Sequence, residues 1–346
     1  MIKLIHISDL HLCDSLKSSV IEPYQMREIQ WTTLKNLVEY ANSKDIDLIL
    51  ISGDLYERKY FSKTHARRLI KILGEFNGEV LIIFGNHDYV GDKFVFDDID
   101  IPDNIILHTM NKIKRYDFHD LNLSIFMHSW EREVEVAPDF TNVERKNKYN
   151  ILMAHSGLNI DKAYMPFDKS LVGEAYEYVA LGHIHKPMVV DDKFFYPGSL
   201  EPLSIKETGP HGGYEIEIDN GVSVSFVDFA SLEYVDENID SCNKSVDEIV
   251  DGVKPLASEK IQVLSLTLTG PDMSMDAEEL RYALKNYFPY IVINDKRTPN
   301  MQVTGINSEF LDDVNDIIES EFEGPYQEDL KRKLISLMNK VAGLWL

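Results

Sequence analysis

A chain of 346 residues, 44% hydrophobic and 27% charged, has the length for a sizeable core and more than one domain, and the composition of an ordinary globular protein. No apolar run approaches the ~18 residues of a membrane helix, the amino-terminal Met-Ile-Lys-Leu-Ile-His lacks the features of a secretory signal, and two cysteines, Cys13 and Cys242, cannot build a disulfide framework, so a cytoplasmic protein with reduced thiols and no membrane association is expected. The net charge of −23 is uneven, 23 Lys and Arg against 30 Asp and Glu over residues 1–200 (−7) but 12 against 28 over residues 201–346 (−16), which argues against the second half holding nucleic acid by itself.

Residues 1–8 read as a strand, and Pro23–Ser43 as a helix with Ile29, Leu34, Leu37, Val38 and Ala41 at helical spacing. Ile46–Ser52 is a strand with almost no polar interruption, as expected where both sheet faces are covered. Lys63–Phe76 is amphipathic, with Leu69, Ile70, Ile72 and Leu73 on one side, and Glu79–Phe84 is the next strand. The β-α-β-α-β alternation predicts parallel pairing through right-handed crossovers. Shorter strands follow at Leu121–Met127, Asn150–Ala154, Tyr178–Leu181, Phe194–Pro197 and Tyr214–Ile218, the last forming a hairpin with Val222–Phe229 across Asp219-Asn220-Gly221. Between Ala230 and Asn243 the chain turns acidic and loses periodicity, which reads as a boundary. Beyond it the pattern predicts helix (Val246–Leu256), strand (Ile261–Leu268), helix (Asp276–Tyr287), strand (Tyr290–Asn294), then two helices, Ser308–Glu323 and Gln327–Leu344, parted by Gly324-Pro325.

Five polar clusters each end an apolar run: Asp9-Leu10-His11, Gly53-Asp54, Gly85-Asn86-His87-Asp88, His155, and Gly182-His183-Ile184-His185. Ligands of open α/β sheets bind beyond the carboxyl ends of the strands, so the clusters are expected to converge on one crevice. Carboxylate, amide and imidazole donors without thiolate suit manganese, iron or zinc rather than a zinc–cysteine structural site. Two cations ~3.5–4 Å apart can clamp the attacking and leaving oxygens of a phosphoryl displacement. A shared carboxylate would hold that spacing, and Asp54, at the tip of the most apolar strand, is the candidate bridge.

In order and spacing, Asp9-x-His11, Gly53-Asp54, Gly85-Asn86-His87-Asp88, His155 and Gly182-His183-x-His185 resemble the calcineurin-like metallophosphoesterase superfamily. The chain length, Tyr196-Pro197-Gly198-Ser199-Leu200 and the appended small domain are similar to the SbcD-type nuclease branch, the nuclease subunit of double-strand-break repair complexes. The motif resemblance spans roughly residues 1–220, and beyond residue 243 it rests on architecture. It implies an α/β sandwich, two sheets flanked by helices, over residues 1–235, then an α+β capping domain (243–300) and a C-terminal helical partner-binding segment (306–346). It further implies that Asp9, His11, Asp54 and His185 bind one divalent metal and Asp54, Asn86, His155 and His183 a second. Manganese is the expected ion, with iron, zinc and magnesium left open. His87 would be the catalytic histidine that protonates the leaving oxygen. Three residues past Asp54, where related phosphatases carry Asp and some repair nucleases His, this chain has Glu57, read as the group that orients His87.

The resemblance implies DNA as substrate and an SMC-like ABC ATPase of the SbcC type as partner, with a homodimer through the region after the first motifs as a further expectation. Leu330, Leu334, Leu337, Met338 and Val341 form an apolar stripe suited either to that partner or to packing within the domain. A small-molecule phosphodiesterase or phosphatase of the same superfamily, acting for example on a cyclic nucleotide, is the alternative that the acidic charge favours. A non-catalytic tethering subunit would have let the motifs decay, and all are intact. His128 is expected in the core or at the rim, His65, His108, His119 and His211 at the surface, and Cys13 in packing.

Overall fold

In the computed structural model, residues 1–14, 20–158, 164–271, 275–297 and scattered positions between 313 and 334 are described. In chain order the first unit, Met1–Glu233, carries β1 (Ile2–Ile7), α1 (Pro23–Ser43), β2 (Leu48–Ser52), α2 (Lys63–Leu73), β3 (Glu79–Ile83), β4 (Ile105–Leu107), β5 (Lys114–Phe118), β6 (Leu123–Met127), β7 (Tyr149–His155), α3 (Lys169–Ala175), β8 (Tyr178–Gly182), β9 (Met188–Val190), β10 (Phe194–Tyr196), β11 (Gly212–Ile218) and β12 (Val222–Asp228). These strands form two six-stranded sheets, β12-β11-β1-β2-β3-β4 and β5-β6-β7-β8-β10-β9.

The apolar runs are continuous because each strand serves two cores. Leu48 and Leu50 of β2 point between the sheets with Leu4, Leu81, Ile83, Ile125, Ile151 and Met153. Ile49 and Ile51 point outward under α1 and α2, against Leu34, Leu37, Leu69 and Leu73. The second sheet repeats this, with Leu152, Ala154, Val179 and Leu181 facing Trp130, Phe140, Val172 and Tyr176 on its outer face. Proline in the first turn starts α1 without a side-chain cap, and Ser62 caps α2 by accepting from the His65 amide at 3.3 Å.

Parallel pairing decides where the polar tips meet. β1, β2, β3 and β4 run parallel, as do β6, β7 and β8, so within each sheet the carboxyl ends fall at one edge. Ser199 pairs with Ser8 across the sheets, and the Ser52 carbonyl bonds His155 Nδ1 at 2.9 Å. The two edges therefore coincide.

The second unit, Tyr234–Leu346, is built on β13 (Leu232–Asp240), α4 (Val246–Val253), β14 (Ile261–Thr269), α5 (Ala277–Leu284) and β15 (Tyr290–Asp295). Its sheet has the order β13-β14-β15. One expectation fails here: the acidic stretch read as an aperiodic boundary contains the nine-residue strand β13. From Val235 onward half-buried Val235, Glu237 and Ile239 alternate with exposed Asp236, Asn238 and Asp240, and Val235 and Ile239 pack on the core, so a period of two was present beneath the acidic composition, with Glu237 interrupting its apolar face. Most of the C-terminal helix pair lies outside the described residues.

Candidate active site

The loops that leave β1, β2 and β3 are bound to one another through their backbones. The Asp9 amide donates to the Gly53 carbonyl (3.1 Å), His11 to Asp54 (3.0 Å) and Leu12 to Leu55 (3.1 Å). Asp88, wholly buried, staples the next pair: its Oδ1 accepts from the Gly85 amide at 2.6 Å and its Oδ2 from the Leu55 amide at 2.7 Å. Burial and the nearby Asp54 push its carboxyl up to about 7. Asp9 (φ 53°), His11 (42°), Asp54 (49°) and His183 (105°) all have positive φ, a conformation that costs energy and collects at functional sites. Gly85 is required by space: a Cβ there would lie 2.3 Å from Asp54 Oδ1.

These constraints bring the sequence-expected residues together. Donor atoms of Asp9, His11 and His185 lie within 4.8 Å of one another, and so do those of Asp54, His155 and His183. Asp54 reaches both sets, its Oδ2 standing 3.7 Å from His11 Nε2 and 3.2 Å from His155 Nε2. Asn86 Oδ1 approaches the same His155 nitrogen at 3.1 Å, and Asp54 Oδ1 accepts from the His87 amide at 2.9 Å.

The donor chemistry fits cations. The Nδ1 of His155 donates to the Ser52 carbonyl, and its Nε2 faces two more acceptor oxygens, so electron pairs converge on one point. Burial disfavours charge on His155, yet the Asp54 carboxylate outweighs it and pushes the imidazole up to about 9, so the converging oxygens draw positive charge to Nε2, where a proton stands in for a cation. Burial likewise opposes charge on Asp54, but the surrounding imidazoles, His155 first, hold its carboxyl below the usual range. Burial lowers His11 to about 3 and His183 to about 4, which keeps both as neutral ligands. His11 Nε2 is buried with no hydrogen-bond partner, an orphaned acceptor of the kind a metal satisfies.

His87 is different in kind. Its side chain is 44% exposed, beside an open cavity of about 700 Å³ lined by Glu57, Lys59, Asn86, His87, Tyr89 and Tyr164 among others. Glu57 Oε2 meets His87 Nδ1 at 2.9 Å. That hydrogen bond, working against burial, raises His87 to about 9. Tyr164 lies over the His183 ring, with centroids 4.4 Å apart.

His128 is buried, and so, against expectation, are His108 and His211. His108 ties Tyr116 to the Lys112 carbonyl, and His211 ties Ser199 to the Glu207 carbonyl. His119 is exposed, His65 half-buried, and Cys13 packs in the core, its thiol pushed up to about 11 by burial. Sequence reasoning overlooked Asp88 as a structural staple and missed Glu207. Asp88 was visible in Gly-Asn-His-Asp, but nothing in a linear spacing tells a ligand from a carboxylate that accepts two amides.

A family profile described as calcineurin-like phosphoesterase matches residues 2–187. The chain belongs to that family, whose members use two divalent metals. The particular relatives are less informative. "Uncharacterized metallophosphoesterase YhaO" of Bacillus subtilis (strain 168) is 28% identical over 236 residues, 63% of this chain and 57% of that protein, so the chain spans little more than half of its length. Among solved structures, a dimetal phosphatase from Danio rerio aligns over 64% of this chain and 98% of its own at 12% identity, with a TM-score of 0.37. The protein TT1561 of Thermus thermophilus aligns over 65% and 98% at 10% identity and a TM-score of 0.40. No helix among the described residues is long and apolar enough to cross a membrane.

Proposed function

We propose that this phosphoesterase cuts DNA, exo- and endonucleolytically, as the nuclease subunit of a complex with an SMC-like ABC ATPase, in repair or recombination and with manganese as its working metal. Asp9, His11, Asp54 and His185 hold one ion, and Asp54, Asn86, His155 and His183 the other. The observation that carries the reading is the placement of His87: half-exposed, backed by Glu57, at the mouth of a cavity open to solvent. An open-sided cleft accepts a phosphate with a substituent on each oxygen flank, whereas a small ester is better enclosed.

When bound, the two cations activate water and neutralise charge on the phosphoryl oxygens. The chain's own residues do the rest. Glu57 accepts the Nδ1 proton of His87 and so directs Nε2–H toward the cleft. As water adds to phosphorus and the ester P–O bond breaks, His87 delivers that proton to the leaving oxygen, a contribution of ~10²–10⁴ in rate. Asp54, through its bond to the His87 amide, keeps acid and ligands in one frame.

The acidic charge favours a second reading, a small-molecule phosphodiesterase, and bears on the partner as well: with −23 overall, an ATPase supplying basic surface would hold the DNA. The deciding assay titrates manganese against single-stranded DNA, end-bearing duplex and a cyclic nucleotide, with His87→Asn as control. DNA cleavage lost in the control supports the nuclease. Turnover of the cyclic nucleotide alone replaces it with the small-molecule enzyme.

A further inference from the structure

Three imidazoles at the site have Nδ1 held by an oxygen, and the three oxygens differ. His155 has the Ser52 carbonyl, His87 has Glu57, and His185 has Glu207, whose Oε1 lies 3.1 Å from His185 Nδ1. His155 needs no further support, being fully buried against a strand. His185 is on the rim, its side chain 33% exposed, with the edge of the His11 ring against it at 4.9 Å between centroids. Its orientation therefore depends on a partner that is itself fixed.

Glu207 is so fixed. Its second oxygen, Oε2, accepts from the Leu203 amide at 2.7 Å, and its own amide donates to the Ser204 carbonyl at 3.0 Å. Its carbonyl meets His211 Nε2 at 3.3 Å, and His211 Nδ1 in turn lies 3.0 Å from Ser199 Oγ. The Ser199 amide donates back to the His185 carbonyl at 3.0 Å. Ser199 also pairs with Ser8, the residue before Asp9. The segment from 185 to 211 is thus a closed brace that grips His185 by backbone and by side chain.

We propose that Glu207 is a positioning residue for the metal centre. It accepts Nδ1–H of His185, holds the tautomer whose Nε2 lone pair faces Asp9, 4.0 Å away, and so sets the affinity of the Asp9–His11–His185 site but not that of its neighbour. This rests on the dimetal reading above. Carboxylates behind ligating histidines are worth ~10–100-fold in metal affinity.

The test is calorimetric titration of the metal-stripped full chain with Mn²⁺, alongside long-range ¹⁵N spectra of its histidines. Wild type is expected to bind two ions and to show His185 with the proton on Nδ1. Glu207→Met, close in shape but without an acceptor, is expected to weaken one site ~10–100-fold, leave the other unchanged and mix the His185 tautomers. Glu207→Gln, which keeps one acceptor oxygen, should fall between. Two sites of wild-type affinity in Glu207→Met overturn the assignment. Equal losses at both sites in both variants also overturn it, because they mark collapse of the loop rather than loss of the acceptor. Absence of ion binding in wild type would instead remove the dimetal reading itself.

Discussion

The two units use the same device to different ends. In the first, β2 and β3 lie parallel across a helix, and their tips carry Asp54 and Asn86. In the second, β14 and β15 lie parallel across α5, and the tip of β15 carries Asp295, Lys296 and Arg297. There the buried charge is satisfied within the chain: Arg297 bonds Asp295 Oδ2 at 2.7 Å and the Met275 carbonyl at 2.9 Å, while Lys296 is exposed. At the first unit's edge, buried donors converge with too few protons among them, and their backbones sit at positive φ. A strand end becomes a catalytic site when its polar groups remain unsatisfied within the chain, and the cost is met by the packed sheets beneath.

The sharpest way to break this contrast is Asp54→Asn. Because its Oδ2 lies near an imidazole of each ligand set, 3.7 Å from His11 and 3.2 Å from His155, its loss should abolish binding of both ions, measured by metal analysis. Phosphoesterase turnover should fall ~10³-fold or more, since several kcal/mol of charge stabilisation are withdrawn. Retention of two tightly held ions would show that Asp54 is no bridge. Next in size is Glu57→Gln. Turnover should fall ~10–10³-fold, bounded by the ~10²–10⁴ that the acid itself contributes, with metal content intact. Full activity here while His87→Asn is dead would remove Glu57 from the mechanism.

Leu266→Ala sharpens the other side. This fully buried residue of β14 should cost ~2–5 kcal/mol of the second unit's stability, read by denaturant unfolding, while metal stoichiometry stays at the wild-type value. The effect smallest at neutral pH appears only in acid. His6 is fully buried beside the Tyr178 hydroxyl, and burial lowers its imidazole from 6.5 to about 3. The folded chain keeps it neutral where the unfolded chain takes up a proton, so its contribution is whole above pH 6.5 and is lost as pH falls from 6.5 towards 3. The slope is about 1.4 kcal/mol per pH unit. His6→Gln should flatten the stability–pH curve in that window, and an unchanged curve would mean that His6 does not govern it.

Long, strongly patterned elements were legible: α1, α2 and the strands of the parallel core match the apolar spacing within a few residues. Four short elements escaped: β4 and β9 with three residues each, the half-exposed edge strand β5, and α3 with seven. Segments so short carry too few residues for a period to show. His108 and His211 were misplaced at the surface because composition says nothing of a polar group whose partners lie on neighbouring loops.

The sequence by itself determined the layered α/β plan, the clusters at the strand ends and the family, since period, length and motif spacing are local quantities along a chain. Glu57 behind His87, 30 residues away, was legible from its place after Asp54, but only the tertiary structure decided which oxygen stands behind the other two imidazoles: Ser52 behind His155, 103 residues away, and Glu207 behind His185, 22 away. A hydrogen bond is set by distance and angle in space. Those exist only once parallel strands have brought separate stretches of chain to a common edge.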